Sequence, residues 1–180
     1  MSALPSISQY VDSLTNPSGL FRTLGEVDAD RDARGAVRFC AGSNAAVFRI
    51  TAAGEEYALK CPLKRGPHFG AIYEYIETHP DPLFAPTRLL RDELYVYDAF
   101  GRGGYCDVVV SQWLPGVTLE TEIKRAAREC PERFGELAAG FDAMASALLG
   151  KEWAHGDLKP ENIIVGRCGA MSPTMPKPWP

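Results

Sequence analysis

The chain has 180 residues, of which 46% are apolar and 23% are charged; this composition excludes a fibrous or low-complexity protein and allows one domain or two small lobes. The formal net charge of −4 provides no general attraction to phosphate-rich surfaces, so we expect neither a nucleic-acid nor a membrane partner. The five cysteines form no C-x-x-C pair, and residues 1–14 do not resemble a signal peptide. We therefore expect a cytoplasmic protein without a disulfide framework.

Residues 1–34 are predicted to form an N-terminal extension. Residues 7–14 carry apolar side chains at helical spacing, and the turn sequence Asn16-Pro17-Ser18-Gly19 follows them. Residues 26–34 alternate charges and are predicted to form a solvated loop. From residue 35 the pattern changes to short β-type runs, so the extension ends there.

Residues 35–114 are predicted to form an antiparallel sheet with one helix. A turn at Gly54 separates two of the strands. Apolar spacing over residues 68–78 predicts the helix, and Pro80 ends it. The predicted strands cover residues 36–40, 46–51, 57–61, 94–100 and 106–113.

Residues 115–165 follow the connector Leu114-Pro115-Gly116 and are predicted to be mainly helical, because residues 132–149 place their apolar side chains on one broad face. Strands with one helix, followed by helices, make the predicted fold class α+β. Residues 166–180 contain four prolines and no acidic residue, so we expect an irregular tail.

The segment His155-Gly156-Asp157-Leu158-Lys159-Pro160-Glu161-Asn162 places three useful groups in one loop. The carboxylate of Asp157 can orient a hydroxyl group and accept its proton, and the amide oxygen of Asn162 can ligate Mg²⁺. Lys159 can place a positive charge on a transferring phosphoryl group. None of these residues is informative alone, but together they form the pattern H-G-D-L-K-P-E-N.

This segment resembles the catalytic loop of eukaryotic-like serine/threonine protein kinases, H-R-D-L-x-x-x-N, except at Gly156. The resemblance implies a protein-kinase-like fold, with a small antiparallel β lobe and one helix followed by an incomplete helical large lobe. It implies ATP and Mg²⁺ as cofactors, and a protein substrate or docking partner. Asp157 and Lys159 would be catalytic, Asn162 would ligate the metal, and His155 would brace the loop.

Two upstream motifs fit the same resemblance. Tyr57-Ala58-Leu59-Lys60 resembles the V-A-I-K strand, so Lys60 would hold the nucleotide phosphates. Residues 40–47 resemble a glycine-rich loop in which only Gly42 is kept, with Val47 as the apolar cover over adenine. The alternatives are a solvent-facing strand lysine and a plain hairpin turn.

The resemblance also implies a helix carboxylate and a hinge. Glu74 and Glu77 lie on the predicted helix, and Glu74, nearer its middle, is the preferred partner of the strand lysine. An ordinary solvated glutamate is the alternative. The segment beginning at Ser111 resembles the hinge, where backbone groups of Gln112 and Leu114 would bind adenine.

Two features depart from the family pattern. Gly156 replaces the arginine that pairs with a phosphorylated activation loop, so switching by that route is not expected. After Glu161 the chain has no acidic residue, so the D-F-G aspartate that holds Mg²⁺ is missing and we expect reduced or no activity. We expect a chain truncated after the catalytic loop. We also hypothesise a coding sequence interrupted or shifted in frame after Val165, with no second strand following residues 163–165.

Three functions stay open at this point. The first is a serine/threonine-kinase-like, ATP-dependent phosphotransferase of reduced or no activity. The second is a pseudokinase-like module that binds a nucleotide or a partner without catalysis. The third is a small-molecule kinase, since such enzymes also use H-G-D, but Lys159-Pro160-Glu161 is the protein-kinase spelling and places this alternative last.

Overall fold

A computed structural model describes residues 4–98, 100–166 and 170–174. The chain divides into two compact units, one formed by residues 1–79 and 86–113 and the other by residues 80–85 and 114–179. The fold class is α+β, as predicted: a curled antiparallel sheet is accompanied by several helices. In the part of the chain that the structure describes, no helix has the length and apolarity needed to cross a bilayer.

The first unit is built on a six-stranded sheet with the order β1-β3-β4-β6-β5, in which β2 also pairs with β3. All of its strand pairings are antiparallel. Two helices belong to this unit, α1 (Ile7–Thr15) and α2 (Phe69–Thr78). The strands are β1 (Val27–Ala29), β2 (Phe39–Ala41), β3 (Ala45–Ala52), β4 (Glu55–Pro62), β5 (Thr87–Tyr97) and β6 (Gly103–Gln112).

The β3–β4 hairpin forms where the sequence predicts it. Its two turn residues both have positive φ, 51° at Ala53 and 82° at Gly54. This conformation matches the twist of two-residue hairpins and is easily adopted by glycine. The turn fixes the register, in which Ala52 lies opposite Glu55 and Phe48 lies opposite Leu59.

One face of this sheet forms the core of the first unit. Alternate side chains of the central strands, among them Phe48, Leu59 and Val108, are completely buried. Helix α1 covers this cluster with Tyr10 and Leu14, and the Tyr10 hydroxyl donates to the Pro62 carbonyl at 2.9 Å. The burial of these apolar side chains is the main source of stability for the unit.

A buried carboxylate ties the N-terminal extension to the sheet. Glu93 on β5 has no exposed surface, and it accepts hydrogen bonds from the Thr23 hydroxyl at 2.7 Å and the Leu24 N–H at 2.8 Å. The Thr23 N–H also donates to this carboxylate, at 2.9 Å. These donors satisfy a charged group that burial would otherwise penalise.

The second unit combines helices with a small sheet of order β7-β8-β9. Its buried apolar cluster includes Leu119, Met144 and Ile163. Thr118 caps the first helix by accepting from the Thr121 N–H at 3.2 Å. The elements are β7 (Val117–Thr118), α3 (Leu119–Glu129), the 3₁₀ turn Pro131–Arg133, α4 (Phe134–Leu149), the 3₁₀ turn Pro160–Asn162, β8 (Ile163–Val165) and β9 (Met171–Pro173).

The sequence analysis does not predict two parts of this sheet, β1 and the first half of β5. Residues 26–34 are not only a loop, because β1 pairs with the end of β3. Strand β5 begins at Thr87 rather than at residue 94. Its first half was hidden by charged residues and by an irregularity between Leu90 and Leu94, which breaks the period of two.

Two further differences lie in the second unit. Helix α3 lies in the region predicted to be mainly helical, but the sequence gives no bounds for it, since few apolar residues mark its buried side. The expectation that no strand follows residues 163–165 is wrong, because β9 pairs with β8 and Val165 lies opposite Met171. The hypothesis of an altered reading frame therefore loses this premise. Residues 167–169 and 175–180 of the predicted tail lie outside the described part of the chain.

Candidate functional site

The predicted catalytic loop is braced by His155, which is 5% exposed. Its Nε2 lies 2.6 Å from the carbonyl oxygen of Thr174, and its Nδ1 lies 3.3 Å from the backbone nitrogen of Asp157. A carbonyl only accepts and a backbone N–H only donates, so Nε2 carries the hydrogen and Nδ1 does not. The neutral ring thus connects the start of the loop to the residue that follows β9.

Asn162 closes the other end of the loop. Its amide nitrogen donates to the backbone carbonyl of Asp157 at 2.9 Å and to the Asp157 Oδ2 at 2.7 Å. The Asn162 backbone donates to the Lys159 carbonyl at 2.8 Å and accepts from the Thr174 N–H at 2.7 Å. The structure therefore brings Asp157 and Asn162 together. Within the described residues, the Asn162 amide oxygen accepts no hydrogen bond.

The backbone conformation at residue 156 favours glycine. Its φ is +75°, a conformation that side chains with a Cβ adopt with difficulty. In this chain the left-handed backbone lies between the brace, His155, and the candidate base, Asp157.

An aromatic contact and an ion pair support the loop within the second unit. The Phe84 ring lies 5.1 Å from the Trp153 ring and 5.9 Å from the His155 ring, measured between centroids. Nearby, Lys151 Nζ lies 2.7 Å from Asp81 Oδ2. This hydrogen bond, helped by the Leu83 N–H, lowers the pKa of Asp81 below its usual value.

The described residues do not provide a complete set of ligands for Mg²⁺. Asn162 offers one amide oxygen, but the described part of the chain contains no group of three or more His, Cys, Asp or Glu side chains placed to hold a metal ion. A hard dication prefers several oxygen ligands, usually with a carboxylate among them. Lys159, the other catalytic candidate, is exposed on the loop.

In the first unit, the cross-strand register places Val47 and Lys60 side by side. Val47 lies opposite Lys60, and Lys60 lies opposite Val109 on β6. Paired residues in an antiparallel ladder have their side chains on one face of the sheet. This face is opposite to the one that forms the core, and both Val47 and Lys60 are half-buried on it.

The same face carries a second pair of small residues, Ala58 and Ser111, of which the hinge resemblance includes only Ser111. Ala58 lies opposite Ser111, and the Ser111 hydroxyl accepts from the Thr87 hydroxyl at 2.7 Å. The Ala58 position could have been found from its place two residues before Lys60, since residues i and i+2 share a face. Ala58 and Ser111 therefore lie in the same region of the face as Val47 and Lys60.

Glu74 is not the partner of Lys60 in this structure. Its carboxylate lies 3.1 Å from Arg91 Nη2, and its side chain is 68% exposed. Among the described residues, Lys60 takes part in no ion pair within the 4.0 Å limit of such contacts. Instead, Lys60 Nζ lies 5.8 Å from the centroid of the Tyr73 ring.

The turn that resembles a glycine-rich loop lies between β2 and β3. Its Gly42 N–H donates to the Ala45 carbonyl at 3.0 Å. A Cβ added at Gly42 would meet no atom within 4 Å, and the residue is not in the left-handed region. Its backbone therefore does not require glycine for folding, and the phosphate role of Gly42 stays a prediction.

The predicted hinge has two of its backbone donors already engaged. The Gln112 N–H donates to the Pro86 carbonyl and the Trp113 N–H donates to the Glu56 carbonyl, each at 3.0 Å. Leu114 is the first residue of the second unit after β6. The adenine role of Gln112 and Leu114 also stays a prediction.

Two surface cavities of the first unit, of about 260 and 280 Å³, are lined by neither Val47 nor Lys60. One lies beside β1 and the other beside the ends of β4 and β6. Their walls carry neither Gly42 nor Lys60, but Gln112 of the predicted hinge lines the second cavity.

Comparison with known proteins does not add a family to these observations. No protein-family model matches the chain, and no curated protein matches it.

Proposed function

We propose that this chain has a protein-kinase-like fold of the serine/threonine type and binds ATP, with phosphotransfer activity that is reduced or absent. The observation that carries the proposal is the pair formed by Asp157 and Asn162. The Asn162 amide nitrogen holds both the backbone carbonyl and a carboxylate oxygen of Asp157, at 2.9 and 2.7 Å. A loop that orients an acid in this way suits a group that must accept a proton from a hydroxyl.

The proposed nucleotide contacts lie on the Lys60 face of the first unit. Lys60 would meet the phosphates with its ammonium group, and Val47 would cover the adenine ring. Ala58 and Ser111 would leave space for that ring because both side chains are small and lie opposite each other. Burial of a flat apolar ring against Val47 would supply affinity, and the lysine would supply orientation.

The proposed roles in the second unit follow the loop. Asp157 would orient a substrate hydroxyl and accept its proton, and Lys159 would offset negative charge on the transferring phosphoryl group. Residues 162–180 contain no carboxylate to complete a Mg²⁺ site with Asn162. Loss of such a ligand lowers the rate by about 10³-fold or more, so we expect low activity.

A thermal-shift titration with ATP, with and without Mg²⁺, tests the binding proposal. We expect ATP to raise the melting temperature of the whole chain and Lys60→Ala to abolish the shift. Lys64→Ala is the matched control, because Lys64 is exposed and follows the same strand. An unchanged melting temperature at millimolar ATP would contradict the nucleotide site.

Phosphate transfer to a generic protein substrate tests the catalytic proposal separately. We expect transfer at or below about 10⁻³ of an ordinary kinase rate. Any transfer that is measured should be lost in Asp157→Ala. Transfer that survives this substitution would show that Asp157 is not the base.

A second candidate function, a partner-binding module without catalysis, is favoured by one observation. Helix α4 exposes large apolar side chains, with Phe134 at 41%, Phe141 at 39% and Leu149 at 87%. Several large exposed apolar side chains on one helix are typical of a surface that another protein covers. ATP binding without phosphate transfer would favour this alternative.

A further inference from the structure

We propose that Tyr73, rather than a carboxylate, is the positioning residue for Lys60. The inference rests on the proposed nucleotide function, because it concerns how the phosphate-binding lysine is held. Tyr73 lies on α2 and is completely buried, and Lys60 Nζ lies 5.8 Å from its ring centroid. That distance is within the range in which an ammonium group is attracted to the face of an aromatic ring.

The competing candidate, Glu74, points elsewhere. Successive residues of an α-helix are rotated by about 100° around its axis, so neighbours cannot both face the sheet. Here the buried position belongs to Tyr73, while the Glu74 side chain is 68% exposed and bound to Arg91.

Other contacts hold Arg91 in place. Its Nη1 lies 3.4 Å from Asp107 Oδ2, and Arg65 binds the same oxygen at 3.2 Å. Gly70 makes room for this guanidinium group, since a Cβ at that position would lie 2.4 Å from Arg91 Nη2. Glu74 therefore belongs to a network that anchors α2 to β5 and β6 and does not include Lys60.

The aromatic partner changes what Lys60 can offer a phosphate. A carboxylate partner neutralises much of the ammonium charge and forms an ion pair. The face of a ring orients the ammonium group through its quadrupole and leaves the positive charge intact. A phosphate that approaches Lys60 then meets the full charge. Within the described residues the Tyr73 hydroxyl has no hydrogen-bond partner, so the ring, and not the hydroxyl, provides the contact.

The first test needs no nucleotide. Reductive methylation with ¹³C-formaldehyde keeps lysines positively charged and gives each a methyl resonance, and Lys60→Arg identifies the Lys60 signal. We expect a nuclear Overhauser effect from the Tyr73 ring protons to the Lys60 methyl groups, kept in Tyr73→Phe and in the control Tyr75→Leu. Tyr75 is a suitable control because it lies on the same helix but is 50% exposed. Absence of the effect in the folded wild-type chain would overturn the inference.

The second test measures ATP affinity by isothermal titration calorimetry. Loss of the ring in Tyr73→Leu should weaken ATP binding by about 3- to 10-fold, whereas Tyr73→Phe should bind like wild type. The inference fails if folded Tyr73→Leu binds normally, or if Glu74→Gln weakens binding as strongly as Tyr73→Leu. If Tyr73→Leu does not fold, the methyl contact in the wild type and in Tyr73→Phe decides. If wild-type protein binds no ATP, the nucleotide proposal fails, while the methyl contact still decides whether Tyr73 holds Lys60.

Discussion

The two units hold their candidate residues by different means. In the first unit, Val47 and Lys60 are placed by the strand register, because each lies opposite a fixed partner in the ladder. In the second unit, Asp157 lies in a loop whose shape depends on side chains. Asn162 binds its carbonyl and carboxylate, and His155 accepts from its N–H.

This difference separates two kinds of mutational effect. A residue placed by backbone hydrogen bonds keeps its position when its own side chain changes, so a substitution at Lys60 reports on the contribution of that side chain. The position of Asp157 depends on its neighbours, so a substitution at His155 or Asn162 also moves the candidate base. Effects on activity in the second unit therefore combine chemistry with geometry.

The largest expected effect compares a glycine from each unit. A Cβ at Gly116 would lie 2.4 Å from the Val165 carbonyl oxygen and 2.8 Å from Ile164 Cγ2. We expect Gly116→Ala to destabilise the second unit by about 2 kcal/mol, because backbone atoms must shift to relieve the overlap. Urea unfolding followed by the fluorescence of Trp153, with the other tryptophans replaced by phenylalanine, measures this free energy.

Gly42→Ala is the control for this comparison. No atom lies within 4 Å of the Cβ position at Gly42, so the free energy of unfolding should change by less than about 0.5 kcal/mol. Equal losses of unfolding free energy in the two variants would mean that the close backbone contact at Gly116 does not cause the destabilisation of the second unit.

The sequence predicts the parts of the fold whose pattern is local. Alternation and a glycine turn define the β3–β4 hairpin, and helical spacing defines α1, α2 and α4. The loop at 155–162 is identified by a motif, whereas the contact between Asp157 and Asn162 is seen only in the structure. These features share one property: the information that specifies each of them lies in one continuous stretch of the sequence, as is usual for periodic elements.

The missed features depend on residues far apart in the chain. The first half of β5 is charged, and its pairing with β6 becomes evident only in the structure. Strand β9 has no periodicity of its own and forms because β8 offers it a partner. Tyr73, and not Glu74, lies beside Lys60 because of the rotation of α2 and because Glu74 binds Arg91, which lies on β5. A local sequence pattern does not predict which residue of α2 lies beside Lys60.

A smaller effect is expected at alkaline pH, on the stability of the first unit. The Cys106 thiol is buried in the core of the first unit, and burial raises its pKa from 9.0 to about 11. The pKa of Cys61 is raised for the same reason. The unfolded chain thus loses its thiol protons at a lower pH than the folded chain. The stabilisation is complete below about pH 9 and is lost progressively as the pH rises towards 11.

Urea unfolding of the whole chain between pH 8 and pH 10.5 measures this slope. Cys106→Ala should make the loss of stability shallower, since one buried thiol no longer titrates. Cys40→Ala is the matched control, because that cysteine is exposed on β2 and should leave the slope as in wild type. An unchanged slope in Cys106→Ala would contradict the assignment.

The smallest effect is expected from an ion pair of the second unit, whose contribution to stability is lost at acid pH. Lys151 lowers the pKa of Asp81 below its ordinary value of 3.8. The pair therefore contributes its full stability above about pH 4–5 and loses it as the pH falls through the lowered value. At pH 7, Lys151→Met should cost the second unit no more than about 1 kcal/mol, because the contact is near the surface. The difference from wild type should disappear once Asp81 is protonated in both proteins.

Lys124→Met is the control for this effect, since Lys124 forms an ion pair with Glu120 in the same unit, and both side chains are well exposed. Trp153 fluorescence follows both variants, because its ring contacts Phe84, three residues from Asp81. A pH-dependent loss restricted to Lys151→Met would show that the 80–85 segment is held at the loop by this ion pair. Equal and parallel losses in the two variants would instead assign the effect to net charge, and the support of the loop would then rest on the contacts of Phe84 with Trp153 and His155.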